Sequence, residues 1–268
     1  MGNIMENNEV IKDFGSINVP DGWDKITLKK YQEIEAFYEE REDNFNVIDV
    51  LDIMIDKDKD YIQSLPAEFL DMILDKLSFL AEKPEVGEPT NKIKIDGETY
   101  IIHFENQLKV GEYIAADTIL KSDKHNYAAL LAILCRKEGE AYDSKFENEI
   151  IEDRIKLWEK QPVINVMPLI GFFFNVIKSI INAYPAIFEH RGNGKPHSQE
   201  YRDFASKWGN IKTLYEIADE KIEKVAEIYQ MYLADYFQFL SYRIEKYEAE
   251  EKEDAYQDMI RKAKKGRN

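Results

Sequence analysis

A chain of 268 residues is long enough for one large domain or two small ones, and 33% charged residues with only 12 Gly and 8 Pro favour long helices. Fifty-two acidic against 36 basic residues leave a net charge of −16, which argues against a broad duplex-DNA-binding face, because neutralising phosphates needs clustered Lys and Arg. The single cysteine, Cys135, rules out an intramolecular disulfide framework and points to a reducing compartment.

Residues 1–22 carry no steady apolar periodicity and end in "VPDGW", where Pro20 and the Asp21-Gly22 pair mark a turn, so a flexible N-terminal arm is expected there. The opening "MGNIMENNEV" has no basic region followed by an apolar one, so no secretory signal is expected, and Glu6 stands where a myristoylation site wants Ser or Thr. Residues 23–188 read as a helical domain. From Thr27, an N-cap candidate, Leu28, Tyr31, Ile34 and Tyr38 recur at three- and four-residue steps; Val47, Ile48, Leu51 and Ile55 continue the pattern in a second helix. Ser64 and Pro66 open a third, with Phe69, Ile73, Leu77 and Leu80 on one stripe until "EKPEVGEP" stops it.

Within "KIKIDGETYIIHF" the apolar residues alternate around Asp96-Gly97, which predicts a β-hairpin near 92–104 with a two-residue type I′ turn. Helical spacing returns through "VGEYIAADTILK" and "NYAALLAILCRK". Ser144 with Glu147 fits a capping box ahead of a helix bearing Ile151, Ile155 and Trp158, which Pro162 ends. Residues 189–199, "EHRGNGKPHSQ", form the expected mobile loop. A C-terminal helical region, 200–250, follows: apolar positions from Leu214 to Ile244 recur at steps of three or four and predict a long helix or a helical hairpin. Residues 251–268 form a charged tail. The fold class is therefore mainly α, with one small hairpin and no internal repeat at solenoid periods.

"PVINVMPLIGFFFNVIKSIINAYP", Pro162 to Pro185, is the most apolar run and is nominally long enough to span a bilayer. Asn165, Asn175, Lys178 and Asn182 interrupt it, and a lysine near the middle of a lone span costs on the order of 3 kcal/mol. The run reads instead as a central helix buried nearly all round through Leu169, Phe172, Phe173, Val176, Ile180 and Ile181. Part of "FFF" could alternatively line a groove for an apolar partner segment.

Motifs for chemistry fail on inspection. "DKDKD" at Asp56, Asp58 and Asp60 begins like a calcium loop, but Tyr61 and Ala67 stand where such a loop needs Gly and Glu. "RGNGKPHS" has Gly192, Gly194 and Lys195 in the manner of a phosphate loop, but no strand leads into it and Pro196 replaces the required Ser or Thr. His103, His125, His190 and His197 show no zinc-ligand spacing, and Cys135 lies in an apolar run without a nucleophile signature. No catalytic, cofactor-binding or metal residue is assigned. Binding features remain: the C-terminal region carries Tyr215, Tyr229, Tyr232, Tyr236, Phe237, Phe239, Tyr242 and Tyr247, more rings than one core stripe usually needs. Arg261, Lys262, Lys264, Lys265 and Arg267 could dock on an acidic neighbour or on nucleic acid.

Three stretches, "DGWDKITLKKYQEI", "NYAALLAILCRKEGEAYD" and "FASKWGNIKTLYEIA" followed by "FLSYRIEKYEAEEKE", together resemble proteins encoded beside the virion-structure genes of tailed bacteriophages, particularly those of Bacteroidetes, described as tail-assembly-chaperone-like. The resemblance spans residues 18 to 250. It implies a helical, acidic, non-enzymatic protein of the bacterial host cytoplasm or the virion. Its partners would be tape-measure, tail or portal-region proteins, or further copies of itself. Phe172, Phe173, Phe174, Trp208, Tyr215, Tyr232 and Tyr236 are the expected contact residues. The alternatives are a cytoplasmic helical adaptor with no phage role, and a metal-dependent hydrolase or nuclease using acidic residues.

Overall fold

In the computed structural model, which describes residues 17–40, 46–55, 57–104, 106–142, 148–188 and 198–265, helices form wherever apolar residues recur at helical spacing. The chain is mainly α-helical with one small antiparallel sheet, and its residues divide between two units that interleave in sequence. The first gathers described residues of 17–93, 119–132 and 148–171; the second gathers those of 94–118, 133–142, 172–188 and 198–265. Each unit is therefore assembled from separated stretches of the chain, the first up to residue 171 and the second from residue 94 onward, whereas the sequence reading places 23–188 in one domain.

The first unit begins with a 3-10 turn at Trp23–Lys25. The Trp23 indole meets Tyr31 and Phe79 edge-on, with ring centroids 5.8 and 5.3 Å away, and donates its N–H to the Glu82 carbonyl at 3.1 Å. Helix α1 (Leu28–Glu40) buries Leu28, Tyr31 and Ile34 as its spacing predicts, but leaves Tyr38 exposed. Helix α2 (Val47–Met54) starts where the Asn46 side chain accepts the Ile48 N–H, and packs on α1. The short α3 (Lys59–Ser64), absent from the sequence reading, follows. Helix α4 (Ala67–Lys76) then continues as a 3-10 turn through Leu77–Ala81.

The unit is closed by chain from much further on. Helix α7 (Asn148–Glu159) inserts Trp158, wholly buried, and packs on α1. At the junction with α8 (Val163–Ala183), which the short α9 (Pro185–Phe188) follows, the Leu28 N–H donates to the Gln161 carbonyl and the Val163 N–H to the Ile26 carbonyl, both at 2.8 Å. This pair of bonds satisfies an amide at the start of each helix, where no intrahelical partner exists. Ser144 and Glu147, the predicted capping box, lie outside the described residues.

The second unit holds the sheet. Strands β1 (Lys92–Ile95) and β2 (Glu98–Ile102) flank Asp96 and Gly97 with φ of 50° and 85°, the left-handed pair that the two-residue turn demands. A third strand extends the predicted hairpin into a sheet. Helix α6 (Tyr127–Leu134) does not run on through "CRK"; β3 (Cys135–Lys137) pairs antiparallel with β2, Ile102 facing Cys135 and Tyr100 facing Lys137.

Helix α5 (Val110–Ser122) and the helical pair α11 (Ile222–Tyr229) and α12 (Leu233–Lys265) are joined as α1 is to α7 and α8. The Val110 N–H donates to the Met231 carbonyl at 3.1 Å and the Leu233 N–H to the Leu108 carbonyl at 2.8 Å. Both units therefore carry the same fastening between the start of a 13-residue helix and the turn of a later helical hairpin. The predicted continuous C-terminal pattern is broken twice, at Asp219 and Glu220, whose φ values of 52° and 58° end α10 (Gln199–Ile217), and again between α11 and α12. Helix α12 itself continues to Lys265, through most of what the sequence suggests is a tail. Arg267 and the loop residues 189–197 lie outside the described residues.

Helix α8 is long and apolar enough to cross a membrane, and among the described residues it is the one helix that is. It is not buried nearly all round, as its composition suggests. Val163, Val166, Leu169 and Ile170 face the core of the first unit, and Phe173, Val176 and Ile180 face that of the second. Asn165, Asn175, Lys178 and Asn182 are exposed, together with Phe174 and Ile181. The polar interruptions thus trace a solvent-facing stripe.

Candidate functional site

A concavity of the second unit lies on α10. Ser198 starts this helix by accepting the Tyr201 N–H at 3.3 Å. From there Tyr201, Phe204 and Trp208 follow at steps of three and four, which sets three aromatic rings along one face ahead of Gly209, and Tyr215 stands in the half of the helix beyond it. All four are exposed.

Gly209 turns that row into a cavity. Its φ of 44° and ψ of −123° lie outside the helical region and bend the chain sharply in the middle of α10. Only glycine occupies this conformation without steric cost. The bend brings Lys212 back over the first half of the helix, so that its Nζ sits 5.6 Å from the centre of the Tyr201 ring and 2.6 Å from Glu216. The hydrogen bond to Glu216 holds the Lys212 ammonium above its ordinary pKa, against the opposing effect of burial. Tyr201, Phe204, Trp208, Lys212, Tyr215, Glu216 and Glu220 enclose about 570 Å³. Phe204 lies 6.5 Å, centroid to centroid, from both Tyr201 and Trp208, and Lys207 covers Trp208 at 5.3 Å.

Of the residues expected from the sequence, Trp208 and Tyr215 meet in this cavity. Tyr232 is exposed elsewhere, with the Lys109 ammonium 3.5 Å from its ring centre. Phe174 is exposed on α8, while Phe172 is half-buried with its ring edge against Phe104, 5.1 Å away. Two expectations are corrected: Phe173, 1% exposed, and Tyr236, 3% exposed, are core residues with no surface to offer a partner. Arg261, Lys262 and Lys264 are exposed on α12, and Lys265 is its last residue. Tyr201, Phe204, Lys212, Glu216 and Glu220 were missed. The ring spacing around an isolated glycine, read from Tyr201 instead of from Trp208, is the signal that could have found them.

Asp58 caps α3 by accepting the Tyr61 N–H at 2.8 Å, while Asp56 lies outside the described residues. Cys135 is buried in β3. His103 sits 3.3 Å from Gln107 with its pKa lowered by burial, and His125 contacts Glu39. His190 and His197 lie outside the described residues. Among the described residues, no three His, Cys, Asp or Glu side chains are grouped so as to hold a metal ion.

The second unit also buries a charge pair. Glu112 is fully buried, its Oε2 accepts the Lys109 N–H at 2.8 Å, and its Oε1 lies 3.0 Å from Arg136 Nε. The Arg136 N–H is not aimed at that oxygen, so the contact is an ion pair without a hydrogen bond. Burial pushes the Glu112 carboxyl up to about 7 even though Arg136 and the backbone N–H oppose it. The guanidinium also donates to the Glu140 carbonyl at 3.2 Å and lies 5.7 Å from the Tyr142 ring centre.

No known protein family matches this chain, and no characterised protein or solved structure is significantly similar to it. The class that the fold defines is a mainly α-helical protein with a small antiparallel sheet.

Proposed function

We propose that this protein is non-enzymatic and serves virion assembly in a tailed bacteriophage, as a tail-assembly chaperone or minor structural component in the host cytoplasm or the virion. It holds an amphipathic helical segment of a tape-measure, tail or portal-region protein in the concavity of α10. The observation that carries this reading is the row Tyr201, Phe204, Trp208 and Tyr215, solvent-exposed yet arranged around one cavity. Aromatic rings in a concave site are the usual anchors of protein recognition, since each buries a large area with little loss of side-chain freedom. Glu216 and Glu220 on the rim fit a segment whose apolar stripe is flanked by Lys or Arg, as does the net charge of −16. The resemblance of the three sequence stretches to phage assembly proteins supplies the biological setting.

The test is co-purification with the tape-measure protein encoded nearby, using the intact chain and a Phe204→Ala/Trp208→Ala variant. The expected result is capture by the intact chain and loss of capture, on the order of a hundredfold, by the variant. A folded, intact chain that captures none of the tape-measure, tail or portal-region proteins removes the assembly reading. Capture that the variant retains removes the α10 site.

A further inference from the structure

Beyond Ile244, helix α12 carries little packed surface: from Glu245 to Lys264 every residue is exposed except Glu248 and Ile260, which are partly so. Packing of one face supplies most of a helix's stability in proteins, and this stretch of about 20 residues has little of it. This stretch has a pronounced charge pattern. Residues 245–254 hold six acidic and two basic side chains, whereas residues 255–265 hold four basic and one acidic. Pairs within the helix include Lys246 with Glu250 at 3.7 Å and Arg261 with Asp258 at 3.3 Å, and Gln257 donates to Glu253 at 2.7 Å. Tyr247, Tyr256 and Met259, each more than half exposed, add apolar surface along the same length.

We propose that residues 245–265 of two copies of the chain pair antiparallel, making the protein a salt-sensitive homodimer through α12. A two-fold axis near Tyr256 brings the acidic half of each helix beside the basic half of the other. On the two flanks Glu248 then lies near Lys262 and Glu250 near Lys264 of the other copy, and each pairing occurs twice by symmetry. A parallel pair would set acid against acid and base against base, so the charge pattern selects the antiparallel one. Tyr256 from both copies meets at the axis, with Met259 and Ile260 beside it. Nothing in this pairing depends on how the α10 cavity is used.

Sedimentation equilibrium of the full chain tests it directly. A dimer is expected at low ionic strength, with its dissociation constant rising on the order of tenfold or more between about 50 mM and about 500 mM salt. The variants Glu248→Lys/Glu250→Lys/Glu251→Lys and Arg261→Glu/Lys262→Glu/Lys264→Glu should each be monomeric alone and form a one-to-one heterodimer when mixed. Orientation is read by cysteine cross-linking, since the native Cys135 is buried. Ala249→Cys should cross-link to an Ala263→Cys partner and not to itself. A chain that stays monomeric at low salt, a dimer that survives both charge reversals, or Ala249→Cys cross-linking to itself each overturns the proposal. Should a reversal variant fail to fold by circular dichroism, the salt series and the cysteine pair still decide.

Discussion

Lys212 and Tyr201 are eleven residues apart on one helix, yet the Lys212 Nζ lies 5.6 Å from the centre of the Tyr201 ring. In a straight helix that separation spans about 16 Å. Gly209 removes the difference, and with it converts a row of rings into an enclosure.

Gly209→Ala is therefore expected to act on shape. A side chain at φ 44° and ψ −123° is strained by about 1–3 kcal/mol, so the helix either straightens or the protein loses stability by that amount. Partner capture should fall with all four rings still present. Thermal denaturation together with the co-purification assay checks this; unchanged capture would show that the rings bind without the bend.

The two tyrosines of the C-terminal region should separate cleanly. Tyr236 is buried beside Phe237, which also meets Tyr113, Tyr184 and Phe188 at centroid distances of 5.3 to 5.6 Å. Tyr236→Ala is expected to cost about 3–5 kcal/mol in urea unfolding. Tyr232→Ala loses a surface contact with Lys109 and should cost no more than about 1 kcal/mol. Equal costs would mean that both rings belong to the core.

Glu112 sets a pH dependence. Its folded pKa of about 7 exceeds the ordinary 4.5, so the folded state holds the proton more tightly than the unfolded chain does. The stabilising contribution is complete below about pH 4.5 and is lost as pH rises through about 7, a change on the order of 3 kcal/mol. Glu112→Gln should flatten that slope. Denaturant midpoints of both proteins from pH 4.5 to 8 give the comparison, and parallel curves would contradict it.

Gly111, next to Glu112, has no room for a methyl group. A Cβ there would overlap the Tyr142 hydroxyl and come within 3.1 Å of the Tyr229 ring. Gly111→Ala should push Tyr142 away from Arg136 and destabilise by about 1–3 kcal/mol. A Tyr142→Phe background removes the clashing hydroxyl, and stability measured there should recover in part.

How far the sequence was legible follows from where the signal is local. Asp96-Gly97 announced its turn, because only left-handed residues close a two-residue hairpin, and both have positive φ. Leu28, Tyr31 and Ile34 announced a helix face by spacing alone. Strand β3 was not legible: Cys135–Lys137 follows a helix of strong apolar character and becomes a strand only through pairing with Tyr100–Ile102. Phe172, Phe173 and Phe174 are chemically identical neighbours, and helical geometry alone sends them to a half-buried edge, the core and solvent. The α10 cavity hid for a related reason, since an isolated glycine between Trp208 and Asn210 reads as a mild helix weakness until its dihedrals are seen.

The paired fastenings at Leu28–Val163 and Val110–Leu233 also bear on how the chain acquires its shape. Each joins segments more than a hundred residues apart, so each unit closes a long loop whose entropic cost precedes its packing reward. During synthesis the first unit can be completed once Gly171 has emerged, whereas the second must wait for α12. Any contiguous fragment that contains one entire unit also carries a portion of the other, which it cannot finish. Maturation of the two units is thus ordered along the chain, and the helix bearing the self-complementary charges arrives after their other segments.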